Sequence, residues 1–193
     1  MSSRILMTRQ GQNPMAMKHL YILRHGKSSW ASENITDAER TLTTHGTAAV
    51  ARMGRECAGR GWQPALALVS TSVRTRQSFD AFAAALADAG GARPQVHFLP
   101  ALYLAQPEAV VSEIRRHGGN APSILVIGHN PGLSELALWL ARNDTAAIRA
   151  RLARGLPTGG LVHTQLETES WSALANADAR VTDVLTPKDL DQS

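Results

Sequence analysis

The chain has 193 residues, 44% of them hydrophobic and 19% charged, with mean hydropathy near zero. That is enough apolar material for one domain with a core, and it excludes disorder of the bulk. Twenty Lys and Arg against sixteen Asp and Glu give +4. Apart from Lys18, Lys27 and Lys188 the basic residues are Arg, scattered without basic runs or aromatic interleaving, which argues against a nucleic-acid partner. No apolar run approaches the roughly 18 residues of a membrane-spanning helix. The basic start lacks the apolar stretch and cleavage site of a secretory signal, so the expected location is the cytoplasm, with no membrane partner. Cys57 is the single cysteine, which rules out an intrachain disulfide and a thiolate zinc cluster. It falls in a helical pattern and reads as packing.

Residues 1–17 are polar and aperiodic and are expected to form a mobile leader or an over-extended start, with a single domain over 18–193. His19-Leu20-Tyr21-Ile22-Leu23 is a short β-prone run that ends at Arg24-His25-Gly26, the pattern of a buried strand exiting into a loop. Helical spacing follows over Thr43–Gly59, closed by Gly59-Arg60-Gly61. Ala65–Val69 reads as a second buried strand, broken at Ser70-Thr71-Ser72 before an amphipathic helix from Val73 to Leu86. A weaker strand at Val96–Leu99 leads to a helix over Glu108–His117. Ser123–Ile127, the strongest strand, ends at Gly128-His129-Asn130-Pro131-Gly132 before a helix over Leu133–Arg142. A helix at Ala146–Leu152, an edge-like strand at Leu161–Leu166, a hairpin return at Trp171–Leu174 and a closing run at Val181–Pro187 complete the pattern. The βαβ alternation implies an α/β fold, a three-layer sandwich with a mostly parallel central sheet and helices on both faces.

Arg24-His25, Ser70 to Arg74 and His129 each follow a strand, at the carboxyl ends where open α/β sheets bind ligands. Two Arg and two His converging there would make a positive pocket. The planar fork of Arg suits phosphate oxygens, so a phosphoryl group is the expected ligand. A neutral His25 can attack phosphorus and form a covalent intermediate. Neighbouring Arg residues disfavour the imidazolium and keep the attacking nitrogen free. The guanidiniums neutralise charge as a Mg²⁺ ion would, so no metal and no cofactor are expected. Gly128–Gly132 contains turn chemistry, but a turn does not call for His. His19, His45, His97, His117 and His163 have no companion at metal-ligand spacing and read as structural or exposed. Lys27 and Ser28 stand close enough to be phosphate donors or simple loop residues, and Trp30 and Tyr103 close enough to touch substrate.

Arg24-His25-Gly26-Lys27-Ser28-Ser29-Trp30 resembles the Arg-His-Gly signature of the histidine phosphatase superfamily, the phosphoglycerate mutase-like fold. Ser70-Thr71-Ser72-Val73-Arg74-Thr75-Arg76-Gln77-Ser78 resembles that family's second segment, and Gly128–Gly132 its third. Lys27-Ser28-Ser29-Trp30, the His-Asn-Pro-Gly turn and Pro157-Thr158-Gly159-Gly160 are most similar to the SixA-type phosphohistidine phosphatase branch. The resemblance implies His25 as the phosphorylated nucleophile, Arg24 and Arg74 as clamps on the phosphoryl oxygens, and His129 as the group that neutralises them. Thr71, Ser72 and Ser78 depart conservatively from the pattern. Ala31 stands where mutase-type members often place Asn, which argues against that branch.

Mutase-like members carry a general acid between the second and third motifs. Of Asp80, Asp88, Glu108 and Glu113 in that interval, only Glu108 follows a strand-to-helix junction, so it is the candidate. A phosphohistidine substrate would need less proton donation. The expected activity is metal-independent dephosphorylation of phosphohistidine on a protein through a phosphohistidine intermediate. The alternatives are a phosphatase of a small metabolite or nucleotide and a non-catalytic phosphate-binding module. The interval from Leu86 to Ser123 is too short for a large lid, which favours an open pocket.

Overall fold

In a computed structural model the structure describes residues 17–30 and 35–191. The six strands are β1 (Met17–Arg24), β2 (Leu66–Ser70), β3 (Gln95–Leu99), β4 (Ser123–Gly128), β5 (Leu161–Glu167) and β6 (Asp178–Leu185), in the order β3-β2-β4-β1-β5-β6. β1 pairs with β4, and β2 with both β3 and β4, in parallel; β5 runs antiparallel to β1 and to β6. The sheet is therefore mostly parallel. The leader lies outside the described residues except for Met17, which opens β1.

Right-handed crossovers decide which face each helix takes. The chain steps outward from β1 to β2 to β3 through α1 (Thr44–Gly59) and α2 (Val73–Asp88), then back to β4 through α3 (Pro107–His117). The first two helices share one face, where Val50, Met53 and Cys57 pack on Phe79, Phe82 and Leu86 against Leu23, Val69 and Ile127. The opposite face is covered by α3, α4 (Gly132–Leu140) and α5 (Ala146–Ala153), with Ile114, Leu136, Leu140 and Leu152 against Leu20, Leu68 and Val126. The central strands β2 and β4 are buried along their whole length, as a sheet covered on both faces requires. No helix among the described residues is long and apolar enough to cross a membrane.

Two expectations are corrected. Leu161–Leu166 is an interior strand between β1 and β6, and its polar residues His163 and Thr164 are buried rather than solvated. His163 Nε2 and His19 Nδ1 lie 3.0 Å apart in a hydrogen bond across β1 and β5, and His163 Nδ1 bonds the Thr182 hydroxyl at 2.8 Å. Tyr21 stacks on the His163 ring at 4.7 Å. The return strand is β6, not Trp171–Leu174, which forms part of a short 3-10 turn (Trp171–Asn176). Its Trp171 is drawn into the core and donates its indole N–H to the Ala121 carbonyl at 2.7 Å.

Candidate active site

The first motif leaves β1 and is held from behind by the start of α1. Thr43 caps that helix, its hydroxyl accepting from the Gly46 N–H at 3.0 Å, while its own N–H donates to the Lys27 carbonyl at 2.9 Å. A Cβ at Gly46 would meet the Lys27 carbonyl oxygen at 2.2 Å, so only glycine allows this approach. From Ser28 the chain turns back on itself: the Ser29 N–H donates to Thr41 O at 2.9 Å, and Ser28 pairs with Leu42 as an isolated bridge. Ala31 lies outside the described residues.

Arg24, His25, Arg74 and His129 line one cleft of about 760 Å³ at the carboxyl ends of β1, β2 and β4. The His25 and His129 rings are 5.2 Å apart. His25 Nδ1 donates to the Gly26 carbonyl at 2.7 Å, which leaves Nε2 as the nitrogen with the lone pair. Arg74 Nε points at that lone pair from 3.3 Å, and its Nη2 lies 3.3 Å from His129 Nδ1. On its other side His129 Nε2 is 2.9 Å from the Ser70 hydroxyl, so a proton on Nε2 leaves Nδ1 as the acceptor facing Arg74. Burial holds both imidazoles neutral. The His25 pKa is lowered to about 4 by desolvation, assisted by the Arg74, Arg24 and Arg40 guanidiniums and opposed by the Gly26 hydrogen bond. That of His129 is lowered to about 3 by desolvation and then by the Arg74 charge.

Arg24 donates from Nη1 to the Leu156 carbonyl at 2.8 Å, and Asn130 Nδ2 reaches the same carbonyl at 2.8 Å. Arg24 Nε and Asn130 Oδ1 are buried without a partner. A buried N–H of a guanidinium is costly to leave unpaired, and an anion in this cleft is the group that would answer it. Of α2, Arg74 is the residue that lines the cleft. Ser28 also lines it, its hydroxyl accepting from Arg40 Nη2 at 2.9 Å, and exposed Lys27, Trp30 and Leu104 stand at its mouth.

The structure does not bring Glu108 to this cleft. The connection after β3 reaches it earlier, at Tyr103 and Leu104, and α3 starts beyond, where Glu108 lines a separate cavity of about 580 Å³ with Arg115, Glu135 and Trp139. Asp80 is an exposed partner of Arg93, and Glu113 pairs with His117 at 3.2 Å.

The carboxylate that does stand in the cleft is Asp37, which the sequence reading missed. Its Oδ2 accepts from Arg74 Nη2 at 2.8 Å and from the Tyr103 hydroxyl at 2.7 Å, and its Oδ1 accepts from Arg40 Nη1 at 2.9 Å. Arg74 Nη1 also donates to the Asp37 carbonyl. The Tyr103 hydroxyl, then Arg40 and Arg74, hold its carboxyl well below the usual carboxylate range. Arg40 stacks over the Trp30 ring at 3.4 Å, which fixes both residues at the rim. No group of three or more His, Cys, Asp or Glu among the described residues is arranged to hold a metal ion.

Fold and cleft together define an α/β protein with an arginine-rich, histidine-bearing cleft at the carboxyl ends of its parallel strands. The family model described as the histidine phosphatase superfamily (branch 1) matches residues 20–102. An uncharacterised protein of Mycobacterium tuberculosis is 34% identical over 147 residues, covering 72% of this chain and 84% of the relative. Among solved structures, one from Agrobacterium tumefaciens, provisionally named phosphohistidine phosphatase SixA, is 28% identical with a TM-score of 0.72 and covers 88% of this chain and 98% of its own. A second, from Nakamurella multipartitia and given the same provisional name, is 26% identical with a TM-score of 0.75, covering 91% and 99%. The chain belongs to the histidine phosphatase superfamily, in its SixA-type branch, and is a hydrolase of the phosphatase class.

Proposed function

We propose that the protein removes the phosphoryl group from phosphohistidine on another protein, through a phosphohistidine intermediate on His25, in the cytoplasm. The observation that carries this reading is the state of His25: a neutral imidazole with its Nδ1 proton committed to the Gly26 carbonyl and its Nε2 lone pair facing a cleft rich in guanidinium donors. Arg24 and Arg74 would hold the equatorial oxygens, and Arg24 Nε, buried without a partner, is a donor still to be satisfied. The Nε2 lone pair forms the bond to phosphorus while the substrate's ring nitrogen departs with the electron pair of the broken bond. Water then displaces His25, releasing inorganic phosphate and restoring the free imidazole. His129 is neutral beside Arg74, and a proton taken from solvent onto its ring as negative charge accumulates opposite it would make it a cationic donor to those oxygens.

Access to a protein-borne side chain is supported by the region between β3 and β4. It contains one 3-10 turn (Pro100–Leu102) and α3, both packed into the fold, and among the described residues no inserted subdomain covers the cleft. The deciding experiment is release of phosphate from a phosphohistidine peptide and from p-nitrophenyl phosphate, without added metal. Turnover of the peptide with a clear preference over the ester is the expected result. A protein active on the ester and inert on the peptide would transfer the reading to small phosphomonoesters. A protein that binds phosphate and turns over neither would be a binding module.

A further inference from the structure

Asp37 is the one carboxylate among the described residues that line the cleft, surrounded by Arg24, Lys27, Arg40 and Arg74. Asp37 is paired with Arg74 and Arg40, and it is the carboxylate of the cleft with an acceptor position left for a further N–H once a phosphoryl dianion occupies the guanidinium donors. We propose that Asp37 is a specificity-determining residue that accepts the N–H of the departing imidazole ring, and so selects a protonated phosphoimidazole over a phosphomonoester. The inference rests on reading the cleft as a phosphohistidine site.

The chemistry of the leaving group supplies the reason. An N-phosphoimidazole whose other nitrogen is bare must depart as an imidazolate, whereas one protonated at that nitrogen departs as neutral imidazole. The balance needs no proton transfer from the enzyme. His25 Nε2 forms the new bond to phosphorus, the substrate's P–N bond breaks, and its electron pair stays on the ring nitrogen, so the imidazolium becomes imidazole with its remote proton in place. A counter-ion beside the remote N–H favours the protonated form and hence the better leaving group. An ionised carboxylate suits that task and would be a poor proton donor. An ester does the opposite, because its alkoxide or phenolate develops negative charge facing the same carboxylate.

The geometry leaves room for the contact. A carboxylate has about four acceptor positions; Oδ2 uses two, on Arg74 and Tyr103, and Oδ1 uses one, on Arg40. The Asp37 side chain is 39% exposed, whereas that of Arg74 behind it is 3% exposed, so the carboxylate presents its open side to whatever enters. The groups facing it from neighbouring elements are Arg40 on its own segment, Arg74 of α2, Tyr103 after β3 and His129 after β4.

The test is Asp37→Asn, isosteric and uncharged, assayed as kcat/KM on a phosphohistidine peptide and on p-nitrophenyl phosphate, with inorganic phosphate affinity as a check on the clamp. Peptide turnover should fall about 10- to 100-fold further than ester turnover, any loss common to both substrates and to phosphate affinity being the effect of unpairing Arg74. The alkaline limb of the peptide profile should also move to lower pH, since the substrate ring loses its counter-ion. Asp37→Glu, which keeps the charge, should recover most of the preference. An equal loss on both substrates, with weakened phosphate binding, would mean that Asp37 only holds Arg74 in place and would overturn the proposal, as would no change on either. A wild-type protein inert on the peptide removes the phosphohistidine reading and this inference with it. A wild type active on the peptide whose preference survives Asp37→Asn removes this inference alone.

Discussion

His25→Ala is expected to lose turnover on phosphohistidine and on phosphate esters by at least about 10⁴-fold, the scale seen when a nucleophile is deleted from a preorganised site. The substitution takes away Nε2, the nitrogen left with a lone pair because the ring's proton is committed through Nδ1 to the Gly26 carbonyl. Arg24, Arg74 and His129 would stay to bind phosphate but would have nothing to hand the phosphoryl group to. Rapid quenching with a labelled substrate should trap acid-labile, base-stable phosphate on the wild type and none on the variant. Label retained in the variant would identify another nucleophile, with His129 the first to examine. Because desolvation keeps the His25 pKa at about 4, titration of His25 should put no acid limb on the phosphorylation step down to about pH 5 in the wild type.

Arg74→Lys should lower kcat/KM by about 10³-fold, although charge is retained. Arg74 is 3% exposed and its fork spans His25 Nε2, His129 Nδ1 and both Asp37 oxygen types, carboxylate and carbonyl. A lysine ammonium is a point charge that can satisfy one side of that fork, leaving the nucleophile and the phosphoryl oxygens without a common donor. Inorganic phosphate binding should weaken in parallel, since the same donors hold the product. A loss of less than about 10-fold in both would show that Arg24 alone carries the clamp.

The strands and the four convergent site residues were legible because each lies at an abrupt change from a buried apolar run to polar residues, a local signal. Asp37 was not, for a topological reason. The search for a carboxylate was confined to the chain between the second and third motifs, whereas Asp37 follows the first and reaches Arg74 only because the chain closes on itself through Ser29 and Thr41. A signal was present in Thr36-Asp37-Ala38-Glu39-Arg40: Thr36 and Glu39 form a capping box, and Asp37 and Arg40 stand three apart as an ion pair. Glu108 was misplaced for the converse reason, a correct helix start whose side chain lies past the point where the connection touches the cleft. The polar residues of β5 suggested an edge strand because alternation reports polarity, and polarity does not distinguish a solvated side chain from one bonded across the sheet.

The hydrogen-bonded pair of His19 and His163 has a consequence for acid tolerance. The His163 pKa is lowered to about 4, first by burial and then by His19, against 6.5 for the ordinary group. Unfolding therefore takes up a proton between those limits. The stabilisation is complete above about pH 6.5 and declines as the medium is acidified toward pH 4, by about 1.4 kcal/mol per pH unit for a fully linked group. His25 and His129 add to it with the same sign. Thermal unfolding should thus drop steeply below pH 6, and replacing His163 with Gln should flatten the drop. An acid limit to activity between about pH 6.5 and 4 would then record proton uptake by the denatured chain rather than titration of His25.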